Sequence, residues 1–135
     1  MPASLAQKLQ LKPGQSLVSV NTPAGCREVL MQALSGNPLL SLEDRENAQA
    51  LLLFVNNLEE AVRLAPTVMQ NVATDGLLWL AYPKGSSKIK TDVNRDRLWE
   101  ALAFTGWRPV RQVSIDDTWS AMRFRPSDRV GGKSR

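Results

Sequence analysis

Two stretches constrain this chain more than any other feature: Ala50–Val55 (ALLLFV) and Leu77–Tyr82 (LLWLAY), each six residues long and apolar or aromatic throughout. A strand with one solvated face alternates apolar and polar side chains. A strand that is apolar at every position has to be covered on both faces, as in the centre of a parallel sheet. Neither run approaches the roughly 20 residues needed to cross a bilayer. The two runs are therefore read as inner strands of a sheet with helices on both sides, a three-layer α/β arrangement.

The rest of the chain fits that frame. Leu5, Ala6 and Leu9 are spaced for a turn or two of helix before Pro13-Gly14, a turn signal. Ser16–Val20 (SLVSV) reads as a first strand, broken by Asn21-Thr22-Pro23-Ala24-Gly25. Apolar residues at 26, 29, 30, 33 and 34 keep helical spacing until Gly36-Asn37-Pro38 ends the pattern. Leu39–Leu42 is a weak second strand. Leu58, Ala61, Val62, Ala65, Val68, Met69 and Val72 recur at three and four, but Pro66 lies among them and predicts a kinked helix or two short ones. Asp75-Gly76 reads as a turn into the second apolar run. After a basic loop, Pro83–Lys90, Asp92 is the predicted N-cap of a helix over Val93–Thr105, with Gly106 beyond its end. Val110–Ile115 and Trp119–Arg125 alternate around Asp116-Asp117-Thr118, the pattern of an antiparallel hairpin. Residues 1–126 form a single domain on this reading, and 127–135 are a flexible basic tail.

Composition removes whole classes of chemistry. The 135 residues include no His and one Cys. There is no imidazole for a Ser-His-Asp triad or a proton shuttle, most zinc and iron sites are excluded, and no intrachain disulfide can form. The N-terminus lacks the basic and apolar regions of a signal peptide, so the expected compartment is the cytoplasm, without membrane contact. Charge is uneven: residues 1–83 hold five basic and seven acidic side chains, whereas residues 84–135 hold twelve and six. Such a bias suits an anionic partner.

A mostly parallel sheet closed by an antiparallel hairpin resembles the S-adenosylmethionine methyltransferase-like fold. The segments Gly76–Lys84 (GLLWLAYPK), Lys90–Asp96 (KTDVNRD) and Val113–Pro126 (VSIDDTWSAMRFRP), with Lys12-Pro13-Gly14 and Asn21–Gly25, go further. They resemble a family of small bacterial proteins, a domain of unknown function, with a reduced form of that fold. The resemblance spans about Leu9 to Pro126. It implies the fold and a bacterial cytosolic setting. A cofactor-binding member of such a fold needs a glycine-rich turn after its first strand, so that backbone can approach the nucleoside. This turn has one Gly, and Pro23 removes an amide donor. Glu43 and Asp44, about twenty residues further on, stand where an acid holds ribose hydroxyls. They are the cofactor-binding residues if the chain uses S-adenosylmethionine.

In an open α/β sheet, ligands sit beyond the carboxyl ends of the parallel strands. Four loops are expected there: Asn21–Gly25, Asn56-Asn57, Pro83–Asn94 and Asp116–Trp119. They supply the candidate ligand-binding residues Asn21, Lys84, Ser86, Ser87, Lys88, Lys90, Asn94, Arg95, Asp116, Asp117 and Trp119. In the functional reading, the lysines and a helix amino end receive an anion, and Trp119 offers its face to a ring. In the structural reading, the aspartates pair with Lys90 or Arg95, and Trp119 fills the core beside Trp79 or Trp99. Gly131-Gly132-Lys133-Ser134 imitates the end of a phosphate-binding loop but lacks its first Gly, since Ser127 stands there. Cys26, at a helix start, reads as a small core residue. No catalytic residue and no metal site stands out.

The expectation is a non-catalytic methyltransferase-like domain that binds an anionic small molecule or a protein partner, with no cofactor. The alternatives are an S-adenosylmethionine-dependent methyltransferase and a nucleic-acid-binding accessory protein. A homodimer formed through the outer strand of the hairpin is a further possibility, opposed by Arg123 and Arg125 if they alternate along that strand.

Overall fold

The computed structural model describes residues 5–12, 14–23, 26–34, 37, 39–40, 48–70, 72–84, 91–115 and 118–126. Helix α1 (Leu5–Lys8) leads into strand β1 (Leu17–Val20), followed by α2 (Cys26–Ala33) and the short β2 (Leu39–Leu40). Then come β3 (Ala48–Phe54), α3 (Leu58–Gln70), β4 (Val72–Pro83) and α4 (Arg95–Leu102), which tightens into a 3₁₀ turn over Ala103–Thr105. Strands β5 (Trp107–Ser114) and β6 (Trp119–Pro126) close the domain. The sheet order is β2-β1-β3-β4-β6-β5. The first four strands pair in parallel, β6 runs antiparallel to β4, and β5 runs antiparallel to β6.

The apolar runs behave as their composition requires. Leu51, Leu52 and Leu53 are all 0% exposed, yet they belong to opposite layers. Leu51 and Leu53 join Ala61, Ala65, Val68 and Met69 of α3 and Leu98 and Leu102 of α4 on one face. Leu52 and Phe54 join Leu30, Leu34, Trp79 and Trp119 on the other. The period of two along β3 sends alternate side chains into two cores, so neither face has room for a polar residue. The Trp79 indole still has a donor to satisfy, and Nε1 gives its hydrogen bond to the carbonyl of Leu9 at 3.1 Å.

Several expectations need correction. Helix α3 is continuous through Pro66. Its buried stripe of Ala61, Ala65, Val68 and Met69 holds both halves on the same sheet face, and this packing outweighs one lost backbone bond. Asp75-Gly76 is not a turn, because β4 already begins at Val72. The register jumps there from Ala48↔Val72 to Ala50↔Leu77, an irregularity of the kind that strand glycines accompany. Asp92 does not cap α4. Asn94 does, accepting from the Arg97 amide at 2.9 Å, and Asp92 Oδ1 instead accepts from the Leu58 amide at the start of α3, at 2.8 Å. The strand bearing Arg123 and Arg125 is not the outer one, since β6 lies between β4 and β5. The edge strand is β5, and its arginines are Arg108 and Arg111. Gly106 is left-handed (φ 82°) at the end of the 3₁₀ turn, as its position after the helix predicts.

Candidate functional site

Strand β1 has β2 on one side and β3 on the other, so the chain changes direction across the sheet between β1 and β3. This switch point, at the carboxyl ends, is where the fold class places ligands. Asn21, the first residue after β1, adopts φ 58°. Asn tolerates that left-handed region better than most residues. The conformation sends its amide across the gap. Asn21 Nδ2 donates to the carbonyl of Phe54, the last residue of β3, at 2.8 Å, and to Glu60 Oε1 at 3.2 Å. The same Glu60 oxygen accepts from the backbone N and the Nδ2 of Asn56, at 2.9 and 3.1 Å. Ser19 and Thr22 share a hydrogen bond across the turn that follows β1.

The neighbouring loops are tied to this belt. Thr91 Oγ1 donates to the Asn56 carbonyl at 2.7 Å and accepts from the Val93 amide at 3.1 Å. Asn57 Oδ1 caps α3 by accepting from the Glu60 amide at 2.8 Å. Beyond β4, the Lys84 amide donates to the Thr118 carbonyl at 2.8 Å, and Lys84 Nζ donates to Ser114 Oγ at 2.7 Å. The carboxyl ends of β1, β3 and β4 and the hairpin turn therefore lie on one rim, the arrangement expected from the direction of β5.

Of the candidate ligand-binding residues, the structure places Asn21, Lys84, Asn94, Arg95 and Trp119 at or beside this rim. Asn94 is occupied as the cap of α4. Arg95 Nε lies 3.7 Å from Asp96 Oδ1, with both side chains largely exposed. Trp119 does not present a face for a ring. It is 3% exposed and packs edge-on against Phe54, with centroids 5.2 Å apart and planes at 82°. Its core includes Trp79, not Trp99, which is 45% exposed. Ser86, Ser87, Lys88, Lys90, Asp116, Asp117, Glu43 and Asp44 lie outside the described residues. Cys26 opens α2 and packs partly buried against the Trp79 core.

Glu60 is the rim residue that sequence reasoning missed. Its signal was the spacing Asn57-x-x-Glu60 ahead of an apolar run, a variant of the capping box. Tyr82, near the end of β4, is 4% exposed, and its hydroxyl accepts from Gln112 Nε2 at 2.6 Å. Burial raises its pKa, while the Arg95 cation and the Gln112 hydrogen bond pull in the opposite direction. Among the described residues, no three His, Cys, Asp or Glu side chains converge as metal ligands. Among the same residues, no helix is long and apolar enough to cross a membrane.

No protein-family model and no curated protein matches the sequence. Solved structures do match its shape. A SAM dependent methyltransferase from Aquifex aeolicus superposes with a TM-score of 0.57 at 14% identity, over 89% of this chain and 86% of its own. The pyocyanin biosynthetic protein PhzM gives 0.57 at 14% identity over 90% of this chain, which spans 54% of the PhzM chain. PigF, solved with SAH, gives 0.58 at 5% identity, over 92% of this chain and 61% of its own. The fold is methyltransferase-like. At these identities the likeness is one of architecture, and the chemistry has to be argued from this chain's own residues.

At the switch point the polar groups are engaged with one another. A nucleoside held there needs close backbone approach and free donors. Here Pro23 has no amide to give, and the Asn21 amide and the Glu60 carboxylate are joined to each other across the gap.

Proposed function

We propose that this chain is a methyltransferase-like binding domain that transfers no methyl group and takes an anionic small ligand at the carboxyl rim of its sheet. The observation that carries the reading is the Asn21–Phe54–Glu60–Asn56 belt across the switch point. A site whose polar groups already satisfy one another has few left to bind a nucleoside. Lys84, Arg95 and Arg97 provide positive charge on the same rim, and the amino end of α4 adds its own field.

Isothermal titration of the full chain separates this reading from its rival. SAM and SAH are expected to give no heat at micromolar concentrations. Inorganic pyrophosphate is expected to bind saturably, and more weakly to Lys84→Gln and Arg97→Gln. The second reading is a SAM-dependent methyltransferase, favoured by neighbours of that activity and by one solved with SAH. Micromolar SAM binding would establish it over ours. Absence of pyrophosphate binding would remove the anionic ligand.

A further inference from the structure

Away from the switch point, a groove of about 300 Å³ runs between α4 and β5. Its size is at the lower end of the range for ligand clefts, enough for a small ring system. Its walls are mostly apolar: Trp99 from α4, Pro109 and Val110 from β5, and the buried Met122 from β6. Arg95 and Asp96 also line it and pair with each other at 3.7 Å. With Arg111 the remaining lining charge, the groove is close to neutral.

Two of its side chains have capacity that the fold does not use. Trp99 lies off the buried stripe of Leu98 and Leu102 and is 45% exposed, whereas Trp79 and Trp119 are core residues at 0% and 3%. The Arg108 guanidinium lies 6.0 Å from the centroid of the Trp99 ring, and Arg108 is not among the residues that line the groove. Aromatic pairs in offset stacks contribute beyond the area they bury, so an indole on a cleft wall favours a flat ring. Gln112 is the second. A carboxamide has two N–H donors and one acceptor oxygen. One N–H of Gln112 is given to the hydroxyl of the buried Tyr82 at 2.6 Å, which fixes the way the amide points. The other N–H and Oε1 have no partner among the described residues, and the side chain is exposed. What remains is a donor beside an acceptor. A planar ring with an amino N–H next to a ring nitrogen meets that edge with two hydrogen bonds, the pairing that glutamine makes with adenine.

We propose that the α4–β5 groove binds a neutral heterocycle of the aminopurine type, its ring stacked on Trp99 and its amino–imino edge bonded to Gln112. The thioether of Met122 suits the edge of such a ring. Tyr82 is a positioning residue, which orients the Gln112 amide without touching the ligand. The site shares no hydrogen bond with the Asn21–Glu60 belt and does not rest on the rim's taking a small anion.

Isothermal titration of the full chain with adenine is the test. Saturable binding is expected, insensitive to salt because the ligand carries no charge. The analogue 6-dimethylaminopurine keeps the ring and loses the amino N–H. It is expected to bind about fivefold more weakly or worse, the low end for a bidentate pair. Trp99→Ala is expected to cost about tenfold in affinity, and Trp99→Phe to restore most of it. Gln112→Leu should bring the two purines level. Tyr82→Phe should narrow the gap between them while leaving the contribution of Trp99 in place, which a general loosening of the fold would not do. Circular dichroism confirms that the variants are folded. Four outcomes overturn the assignment: no saturable binding of adenine, an affinity that falls steeply with salt, no effect of Trp99→Ala, or 6-dimethylaminopurine bound as tightly as adenine. The titration with SAM and pyrophosphate reads the rim and is independent of all four.

Discussion

The carboxyl rim of the parallel strands and the flank of the hairpin are built from similar residue types that meet different fates. At the rim, amides, carboxylates and hydroxyls bond one another across long stretches of sequence: Asn21 to Phe54 and Glu60, Thr91 to Asn56, Asp92 to Leu58. On the flank, Trp99 and Val110 are exposed, and the Arg108 guanidinium lies 6.0 Å from the centroid of the Trp99 ring. A donor already engaged within the protein has to be released before it can serve a ligand, whereas an exposed ring or cation keeps its capacity. The fold class directs attention to the rim.

The comparison is broken most severely at the residue that joins the two regions. Phe54 ends β3, lends its carbonyl to Asn21, and packs its ring against Trp119 of the hairpin. Phe54→Ala is expected to cost about 3–5 kcal/mol in urea denaturation, the range for emptying a buried aromatic site. A loss under about 1 kcal/mol would mean that the two regions do not share this core. Next in size is Glu60→Ala, which leaves the Asn56 amide and the side chains of Asn21 and Asn56 without their acceptor. The expected loss is about 1–3 kcal/mol, typical of hydrogen bonds to a charged group. A loss under about 0.5 kcal/mol would mean that water replaces the Glu60 carboxylate at all three donors.

The fold was legible because it rests on coarse signals. The apolar runs at 50–55 and 77–82 could be satisfied only between two layers, and the alternation of Trp119–Arg125 around a polar turn could only be a hairpin. The misreadings share a cause. Pro66 and Gly76 break structure by local propensity, but a packed helix stripe and an irregular strand pair overrode them. Asp92 has the chemistry of a cap and acts as one, though for a helix that begins more than thirty residues earlier, a contact made in three dimensions. The rim itself was foreseeable from strand direction. Its internal wiring was not, because nothing in the sequence tells Glu60 which amides will arrive beside it. Trp119 and Trp99 show the same limit. Trp119 packs into the core from β6, whereas Trp99 lies off the buried stripe of α4 formed by Leu98 and Leu102.

Tyr82 gives the smallest effect and the most direct reading of how the two regions communicate. It is the only tyrosine in the chain, so the ultraviolet absorbance of its phenolate reports one group. Burial raises its pKa, and the Arg95 cation and the Gln112 hydrogen bond lower it in part. The folded protein therefore holds the phenolic proton at a pH where the unfolded chain, titrating near 10, has released it. Below that pH the two states bind the same number of protons and Tyr82 has no influence on stability. As pH rises past about 10 the folded state binds more, so stability falls, and Tyr82→Phe removes that part of the fall. Arg95→Gln takes away a lowering influence and should shift the absorbance midpoint further up. A midpoint that stays in place in Arg95→Gln would mean that the Arg95 cation does not act on the Tyr82 phenolate.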